Sequence, residues 1–195
     1  ASLLDEGNAL DIDASGNVYV TGLTYVSGTN ADVVVLKYDN AGAQQWAQTY
    51  DYQGYFDQGR DIVLDAAANV YITGGGQWNA AGTDTDYLIV KYNTNGVQQW
   101  ADFFSTELGS PATQLDEGFK ITLDATDNPI ITGTSGGTVN SNNLDFVTVR
   151  YTSAGAFNWS HRYDYNGNFD TPTDIAVDGS GNIYVTGAAY FNALQ

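Results

Sequence analysis

Residues 5–22 of the chain read DEGNALDIDASGNVYVTG, and three further segments match this stretch without gaps. They are DQGRDIVLDAAANVYITG (57–74), DEGFKITLDATDNPIITG (116–133) and DTPTDIAVDGSGNIYVTG (170–187). A second unit occurs three times, as DVVVLKYDNAGAQQW (32–46), DYLIVKYNTNGVQQW (86–100) and DFVTVRYTSAGAFNW (145–159). Both units keep their lengths while the segments between them vary. This pattern indicates a repeated supersecondary element joined by loops.

Each unit is predicted to be a β-hairpin. Its two halves are rich in Val, Ile, Leu, Tyr and Thr, which favour strands. The segment between the halves contains Asp, Asn and Gly, as in 13–17 and 39–43, and these residues favour turns. No segment has the apolar spacing of a helix. Two such hairpins form a four-stranded sheet of about 50 residues, the size of a propeller blade.

The sequence therefore predicts an all-β fold, a β-propeller built of four-stranded antiparallel blades. Three blades are complete, at about 5–56, 57–115 and 116–169, and residues 170–195 form half of a fourth. A sandwich or a solenoid of hairpins is the competing architecture. Propellers close with about 4–8 blades, so we expect the rest of a longer chain, or other copies of this one, to complete the ring.

The repeat resembles the SBBP family of bacterial β-propeller repeats. The resemblance rests on the stretch Asp13–Gly22, which recurs at Asp178–Gly187, and on Asp32–Gly42, which recurs at Asp86–Gly96. Blades two and three depart from it locally, with Ala68 at the position of Gly16 and Pro129 at that of Val18; these changes should alter single turns or edges and not the blade. The resemblance implies a secreted or cell-surface location and specifies no ligand.

Composition excludes several functions. The 195 residues include 23 acids and 6 bases, for a net charge of −17, so nucleic acid is an unsuitable partner. The chain has no cysteine, which excludes disulfides and thiolate metal sites. No apolar run approaches the roughly 20 residues of a membrane helix, so no membrane insertion is expected. Calcium, cationic partners and neutral glycans remain possible.

The variable connections should all lie on one face of the propeller, opposite the constant hairpin turns. A rigid scaffold that carries variable loops on one side is the usual form of a binding surface. These loops contain aromatic residues beside acids and amides, a mixture that suits a glycan or a protein ligand. The alternative is that the rings pack between blades or brace the loops. The candidate ligand-binding residues are Tyr25, Asp51, Tyr52, Tyr55, Trp78, Asp164, Tyr165 and Tyr190.

Several residues recur in every blade and are therefore expected to support its geometry. Asp32, Asp86 and Asp145 are predicted to be caps or loop anchors. The basic residues Lys37, Lys91 and Arg150 are predicted to pair with acids of a neighbouring strand, and Trp46, Trp100 and Trp159 to pack between blades.

Signals for metal binding and catalysis are weak. Residues 11–16 resemble the start of a calcium loop but lack its distal glutamate, so no cofactor is assigned, although calcium remains possible. Residues 133–137 fit G-x-S-x-G literally, without the strand–turn–helix context that the motif needs. His161 is expected to be an ordinary strand residue. An aspartate pair such as Asp51 with Asp57, or Asp164 with Asp170, could serve glycoside chemistry.

We therefore expect a non-catalytic, extracellular or cell-surface module that binds a glycan or protein through the variable-loop face. One alternative is a purely structural segment of a large extracellular assembly. Another is a carbohydrate-active lyase or hydrolase, which requires converging carboxylates.

Overall fold

The computed structural model describes residues 5–25, 30–77, 84–105, 115–137, 140–165 and 167–190. These residues form fourteen strands and no helix. The first sheet consists of β1 (Glu6–Ile12), β2 (Val18–Thr24), β3 (Asp32–Tyr38) and β4 (Gln44–Tyr50), and the second of β5 (Asp57–Leu64), β6 (Val70–Gln77), β7 (Thr85–Tyr92) and β8 (Gln98–Phe104). The third sheet consists of β9 (Glu117–Leu123), β10 (Pro129–Gly137), β11 (Asn140–Tyr151) and β12 (Phe157–Tyr163), and the last of β13 (Asp170–Val177) and β14 (Ile183–Ala189).

All pairings within a sheet are antiparallel and follow chain order, which is the meander of a propeller blade. Successive sheets pack against one another through their first strands. Thus β5 contacts β1 and β2, β9 contacts β5 and β6, and β13 contacts β9 and β10. The prediction of an all-β chain of four-stranded antiparallel blades is confirmed, and the sheets of the described residues do not close into a ring.

The constant turns hold the hairpins through one repeated set of hydrogen bonds. In the first turn the Asp13 carboxylate accepts from the backbone N–H groups of Ser15 and Asn17 at 2.9 and 3.0 Å. The turn also needs a positive φ, which Gly16 supplies at 80°. Ala68 and Asp127 occupy the same position in the next two blades with φ of 58° and 59°. The turn is therefore kept at these positions even where the glycine is absent.

The second sheet shows why strand β7 contains the unbroken apolar run Tyr87–Val90. Neighbouring residues of a strand point to opposite faces, and both faces of this sheet are covered. Ile72, Leu88 and Val90 are buried in a cluster shared with the first sheet, whereas Tyr87 and Ile89 are buried in a cluster shared with the third. The apolar run of β7 thus reflects burial on two sides, as expected of a blade between two others.

A repeated contact joins each of the first two blades to a turn of the next. The Trp46 indole donates to the Thr94 carbonyl at 3.1 Å, and Lys37 donates to the same oxygen at 3.2 Å. One blade further on, Trp100 and Lys91 donate to the Ser153 carbonyl at 3.2 and 3.0 Å. We call this arrangement the tryptophan clamp. It confirms that these two tryptophans pack between blades.

The prediction that the recurring basic residues pair with acids is wrong for the two lysines. Lys37 and Lys91 lie over the rings of Tyr19 and Tyr71, at 4.9 and 4.5 Å from the ring centroids, and donate to backbone carbonyls instead. Each lysine ammonium therefore donates to a backbone carbonyl in a turn of the next blade and does not pair with an acid. Of these three recurring basic residues, Arg150 alone pairs with an acid in the described part of the chain, contacting Asp124 at 2.6 Å.

Candidate functional site

The variable connections lie at one end of the sheets, opposite the constant turns, because each sheet is an antiparallel meander. Hydrogen bonds link the two kinds of variable loop to each other. Asn30, before β3, donates to the Gly54 carbonyl in the β4–β5 loop. The backbone N–H of Gln77 donates to the Phe56 carbonyl at 2.9 Å. We call this end of the molecule the loop face.

Buried aspartates fix the backbone of the loop face. Asp57 and Asp170 open the first strands of their sheets and have no exposed surface. The Asp57 carboxylate accepts from the N–H of Tyr52 at 2.6 Å, and that of Asp170 accepts from the N–H of Tyr165 at 2.7 Å. The backbone N–H of Asp57 also donates to the Ala31 carbonyl at 2.7 Å. Asp57 therefore holds two loops together, and Asp170 anchors the loop that contains Tyr165.

The first cluster of candidate residues lies around the β4–β5 loop, and part of it is covered by packing between blades. The Tyr52 ring contacts that of Phe103 in the second sheet, with 4.7 Å between the centroids. Tyr55 is half-buried, whereas Asp51 is exposed and accepts from the N–H of Gly54 at 2.7 Å. Tyr25 is half-buried at the end of β2, and Trp78 lies outside the described residues. In this cluster Tyr52 braces the scaffold, and Asp51 is accessible to a ligand.

The second cluster of candidate residues is more open. Tyr165 and Tyr190 are 41% and 56% exposed, and Tyr190 packs against Phe169 with 5.6 Å between the ring centroids. Tyr165 is the counterpart of Tyr52, but the last sheet has two strands and offers no equivalent of Phe103 in the described part of the chain. Its greater exposure follows from this difference.

Three carboxylates converge at the junction between the third and last sheets. Asp145 lies in β11, Asp164 follows β12 and Asp170 begins β13; one oxygen from each lies within 4.8 Å of the others. We call this set the third-junction trio. The guanidinium of Arg162 contacts Asp145 at 2.6 Å. Burial raises the pKa of Asp145, and the hydrogen bond from Arg162 opposes that rise.

The sequence indicates the members of this trio separately and does not place them together. Its repeats predict Asp145 as a blade anchor, and Asp164 with Asp170 as an example of an aspartate pair. The signal lay in the register of the repeat. The aspartate that begins each second repeat unit lies at the loop face, beside the end of the fourth strand and the start of the next blade. Arg162 gave no comparable signal, because the equivalent residue of the first blade is Thr49.

The other two junctions are variants of the same arrangement. At the first junction the positions are held by Asp32, Asp51 and Asp57, and burial, with the charges of the other two, raises the pKa of Asp57 to about 7. At the second junction Ser105 replaces the middle aspartate between Asp86 and Asp116. There burial, with the charges of Asp84 and Asp116, raises the pKa of Asp86 to about 7.

The second junction predicts a dependence of stability on pH. A carboxyl whose pKa is higher in the folded state binds its proton more tightly there, so folding loses stability as pH rises. For Asp86 the window runs from the unfolded pKa of about 3.9 to the folded value of about 7. We expect the free energy of unfolding to fall by about 2 kcal/mol across it, a figure reduced for partial hydration. Urea unfolding between pH 4 and pH 8 measures this change.

The control for this prediction is Asp86→Asn, which removes the titrating group while keeping its shape. The variant should show a visibly flatter dependence of unfolding free energy on pH than the parent chain. The residual slope reports the other carboxyls whose pKa values are shifted, among them Asp57 and Asp61, which are shifted in the same direction. An Asp86→Asn variant with the full slope of the parent would contradict the assignment to Asp86.

The segment that resembles a calcium loop uses its carboxylates internally. Asp13 organises the turn and also accepts from the Asn17 side chain at 2.7 Å. Asp11 accepts from the N–H of Leu64 in the next sheet at 2.9 Å, and so joins two blades. Residues 11–16 therefore form a structural turn with an inter-blade bond in this structure.

The literal G-x-S-x-G stretch lies within the extended strand β10. Ser135 is buried and its hydroxyl accepts from Arg162 at 2.9 Å. His161 is exposed on β12 and packs edge-on against Trp159. A nucleophile elbow requires a strand–turn–helix, and this stretch lacks that context.

Comparison with known proteins agrees with the fold. A family model described as SBBP, a beta-propeller repeat, matches residues 158–192, which run from β12 through the last sheet. A search of curated proteins found no match. Among the described residues no helix has the length and apolar character needed to cross a membrane. The chain thus carries a β-propeller repeat of the SBBP type.

Proposed function

We propose that this chain is part of a secreted or cell-surface β-propeller that binds a glycan or protein ligand through its loop face and performs no catalysis. The observation that carries the proposal is the division of the molecule into two ends. At one end every described turn is built alike and hydrogen-bonded. At the other end the loops differ in length and present exposed tyrosine, carboxylate and amide groups.

The chemistry of the exposed groups favours a neutral or cationic ligand. Asp51, Gln53 and Asp164 are exposed on the loop face, beside Tyr165 and Tyr190. Carboxylates and amides can accept hydrogen bonds from sugar hydroxyls or protein amides, and flat rings can pack against apolar faces. The net charge of −17 disfavours anionic surfaces.

The test is a glycan array and a pull-down from extracellular protein, both with the 195-residue chain. Tyr190→Ala should reduce the signal of any ligand that binds the loop face. Tyr184→Ala is the matched control, because Tyr184 is also 56% exposed in the last sheet but donates to Asp178 at the constant turn. Two blank screens, or equal losses in the two variants, would contradict the proposal.

A second candidate, a structural segment of an assembly, is favoured by the last sheet. No described strand pairs with the outer side of β14. A groove of about 560 Å³ beside it is lined by Phe146, His161, Tyr163 and Val185 among others. Further blades, from a longer chain or from other copies, fit such a surface. Blank ligand screens together with a concentration-dependent increase in mass by light scattering would favour this function.

The carbohydrate-active alternative needs two accessible carboxylates that face a substrate. Asp57 and Asp170 have no exposed surface, and each accepts from a loop N–H. In each pair only Asp51 or Asp164 reaches solvent. This burial supports the non-catalytic reading, and release of reducing sugar from an array-positive glycan would contradict it.

A further inference from the structure

We propose that the third-junction trio of Asp145, Asp164 and Asp170 is a calcium site between the third and last blades. Its geometry is the first argument. Three carboxylates, one within β11, one just after β12 and one at the start of β13, each place one oxygen within 4.8 Å of the others. Oxygens that coordinate one Ca²⁺ lie about 2.4 Å from it and hence up to about 4.8 Å apart. The trio therefore has the spacing of ligands around one calcium ion.

The second argument is independent of the clustering. The Oδ1 atoms of Asp145 and Asp170 are buried and have no hydrogen-bond partner among the described residues. Asp170 has no exposed surface and Asp145 only 3%. Their Oδ2 atoms accept from the Tyr165 N–H and from Arg162, respectively. A buried carboxylate oxygen without a donor is costly unless something positive meets it.

Charge and ligand type indicate which cation fits. Three carboxylates with the one guanidinium of Arg162 leave a charge of −2, which a divalent ion neutralises. All three side chains offer only oxygen, which hard cations such as Ca²⁺ and Mg²⁺ prefer over softer metals. Ca²⁺ suits the site better than Mg²⁺, because it accepts an irregular set of oxygens at longer distances.

The site would fasten the last two-stranded sheet to the preceding blade. Asp145 belongs to β11, whereas Asp170 begins β13 and anchors the loop that contains Tyr165. A bound ion joins these elements directly. The second junction has Ser105 in place of the middle aspartate, so it lacks one of the three carboxylates that the third junction supplies.

The test uses the 195-residue chain, freed of metal by chelation, in about 0.15 M NaCl to screen diffuse ion binding. Titration calorimetry with Ca²⁺ should show binding with a dissociation constant of about 1 mM or below, the range of extracellular modules. Asp164→Ser, which copies Ser105 of the second junction, should bind one ion fewer per chain. Asp164 is exposed, so the variant should fold. Asp164→Asn is a second variant of the same residue and should show the same loss of one bound ion.

The matched control is Asp127→Asn. It removes one acid from an exposed turn position where Asp127 has φ of 59°, a conformation that asparagine tolerates. This control should bind as many ions as the parent chain. The melting temperature should rise with Ca²⁺ in the parent and the control, and rise less in Asp164→Ser.

Three results would overturn the inference. The first is the absence of calcium binding and of any melting shift in the parent chain. The second is an Asp164→Ser variant that binds as many ions as the parent. The third is Mg²⁺ binding about tenfold tighter than Ca²⁺, which would contradict the preference argued from ligand geometry. Asp51→Asn distinguishes an ion at the third-junction trio from one held by the related aspartates of the first junction. Only an ion at the first junction would be lost in this variant.

Discussion

Trp100→Ala is expected to lower the free energy of unfolding by about 3–4 kcal/mol, within the range for removing a packed tryptophan. The indole stacks on Tyr151 with 6.3 Å between the centroids and 20° between the planes. It also donates to the Ser153 carbonyl at 3.2 Å. The substitution therefore removes both the packing and the hydrogen bond by which the second blade holds the third. Urea unfolding followed by far-ultraviolet circular dichroism measures the loss.

The chain contains a matched control for this prediction in Trp159. It occupies the same position of the repeat in the third blade, but the described part of the last sheet has two strands and supplies no second-hairpin turn for it to clamp. Its described ring contact is with His161, at 5.4 Å between centroids. Trp159→Ala should therefore cost only about 1 kcal/mol. Equal losses in the two variants would show that the tryptophan clamp contributes nothing to the free energy of unfolding beyond the apolar area that the indole buries.

Gly74→Ala is expected to cost about 3 kcal/mol, at the upper end for a substitution that overpacks a core. A Cβ atom at this position would lie inside contact distance of the Gln58 carbonyl and 2.9 Å from its carbon. The obstacle is backbone of the paired strand β5, at the bulge between Gly59 and Asp61, so no side-chain rotation can relieve it. The change should appear as a lower midpoint in urea, with an unchanged slope if unfolding stays two-state.

Gly7→Ala is the control for a strand glycine without such a neighbour. A Cβ atom there would meet only Val20 Cγ1, at an ordinary 3.5 Å. The variant should stay within about 0.5 kcal/mol of the parent chain. If Gly74→Ala were equally mild, the strands at the bulge would have to move apart easily, and the argument from backbone contact would fail.

This contact also explains a feature of the repeat that the sequence showed without a reason. Gly22, Gly74, Gly133 and Gly187 close the first unit in every copy. At each of them an added Cβ atom would meet a backbone carbonyl of the paired first strand. The recurrence of glycine is thus a packing requirement of the bulge. It is not a turn requirement, since none of the four has a positive φ.

The structure followed the sequence most closely where the determining interactions are local. The hairpins, their turns and the order of strands depend on residues a few positions apart, such as Asp13 with Ser15 and Asn17. The lysines failed as predictions because their partners lie in another blade. Lys37 and Thr94 are 57 residues apart, and no pattern within one repeat reveals that contact.

The loop face also has some features that follow from the sequence and others that depend on packing between sheets. Its existence follows from strand order, which the sequence contains, but the exposure of each residue on it does not. Tyr52 and Tyr165 hold equivalent positions, yet one is covered by Phe103 and the other is 41% exposed. The difference in exposure arises from the strands that pack beside each tyrosine. The residues around the tyrosine in the sequence do not show which strands those are.

The amino-acid sequence by itself thus determined the all-β blades, their turns and the end of the molecule that carries variable loops, because period, turn chemistry and strand alternation act over short distances along the chain. Only the tertiary structure decided which aromatic rings are covered, where the lysines donate and which carboxylates meet. Those outcomes depend on the packing of one sheet against the next. Asp145, Asp164 and Asp170 become neighbours only when β11, the end of β12 and the start of β13 are brought to the same junction.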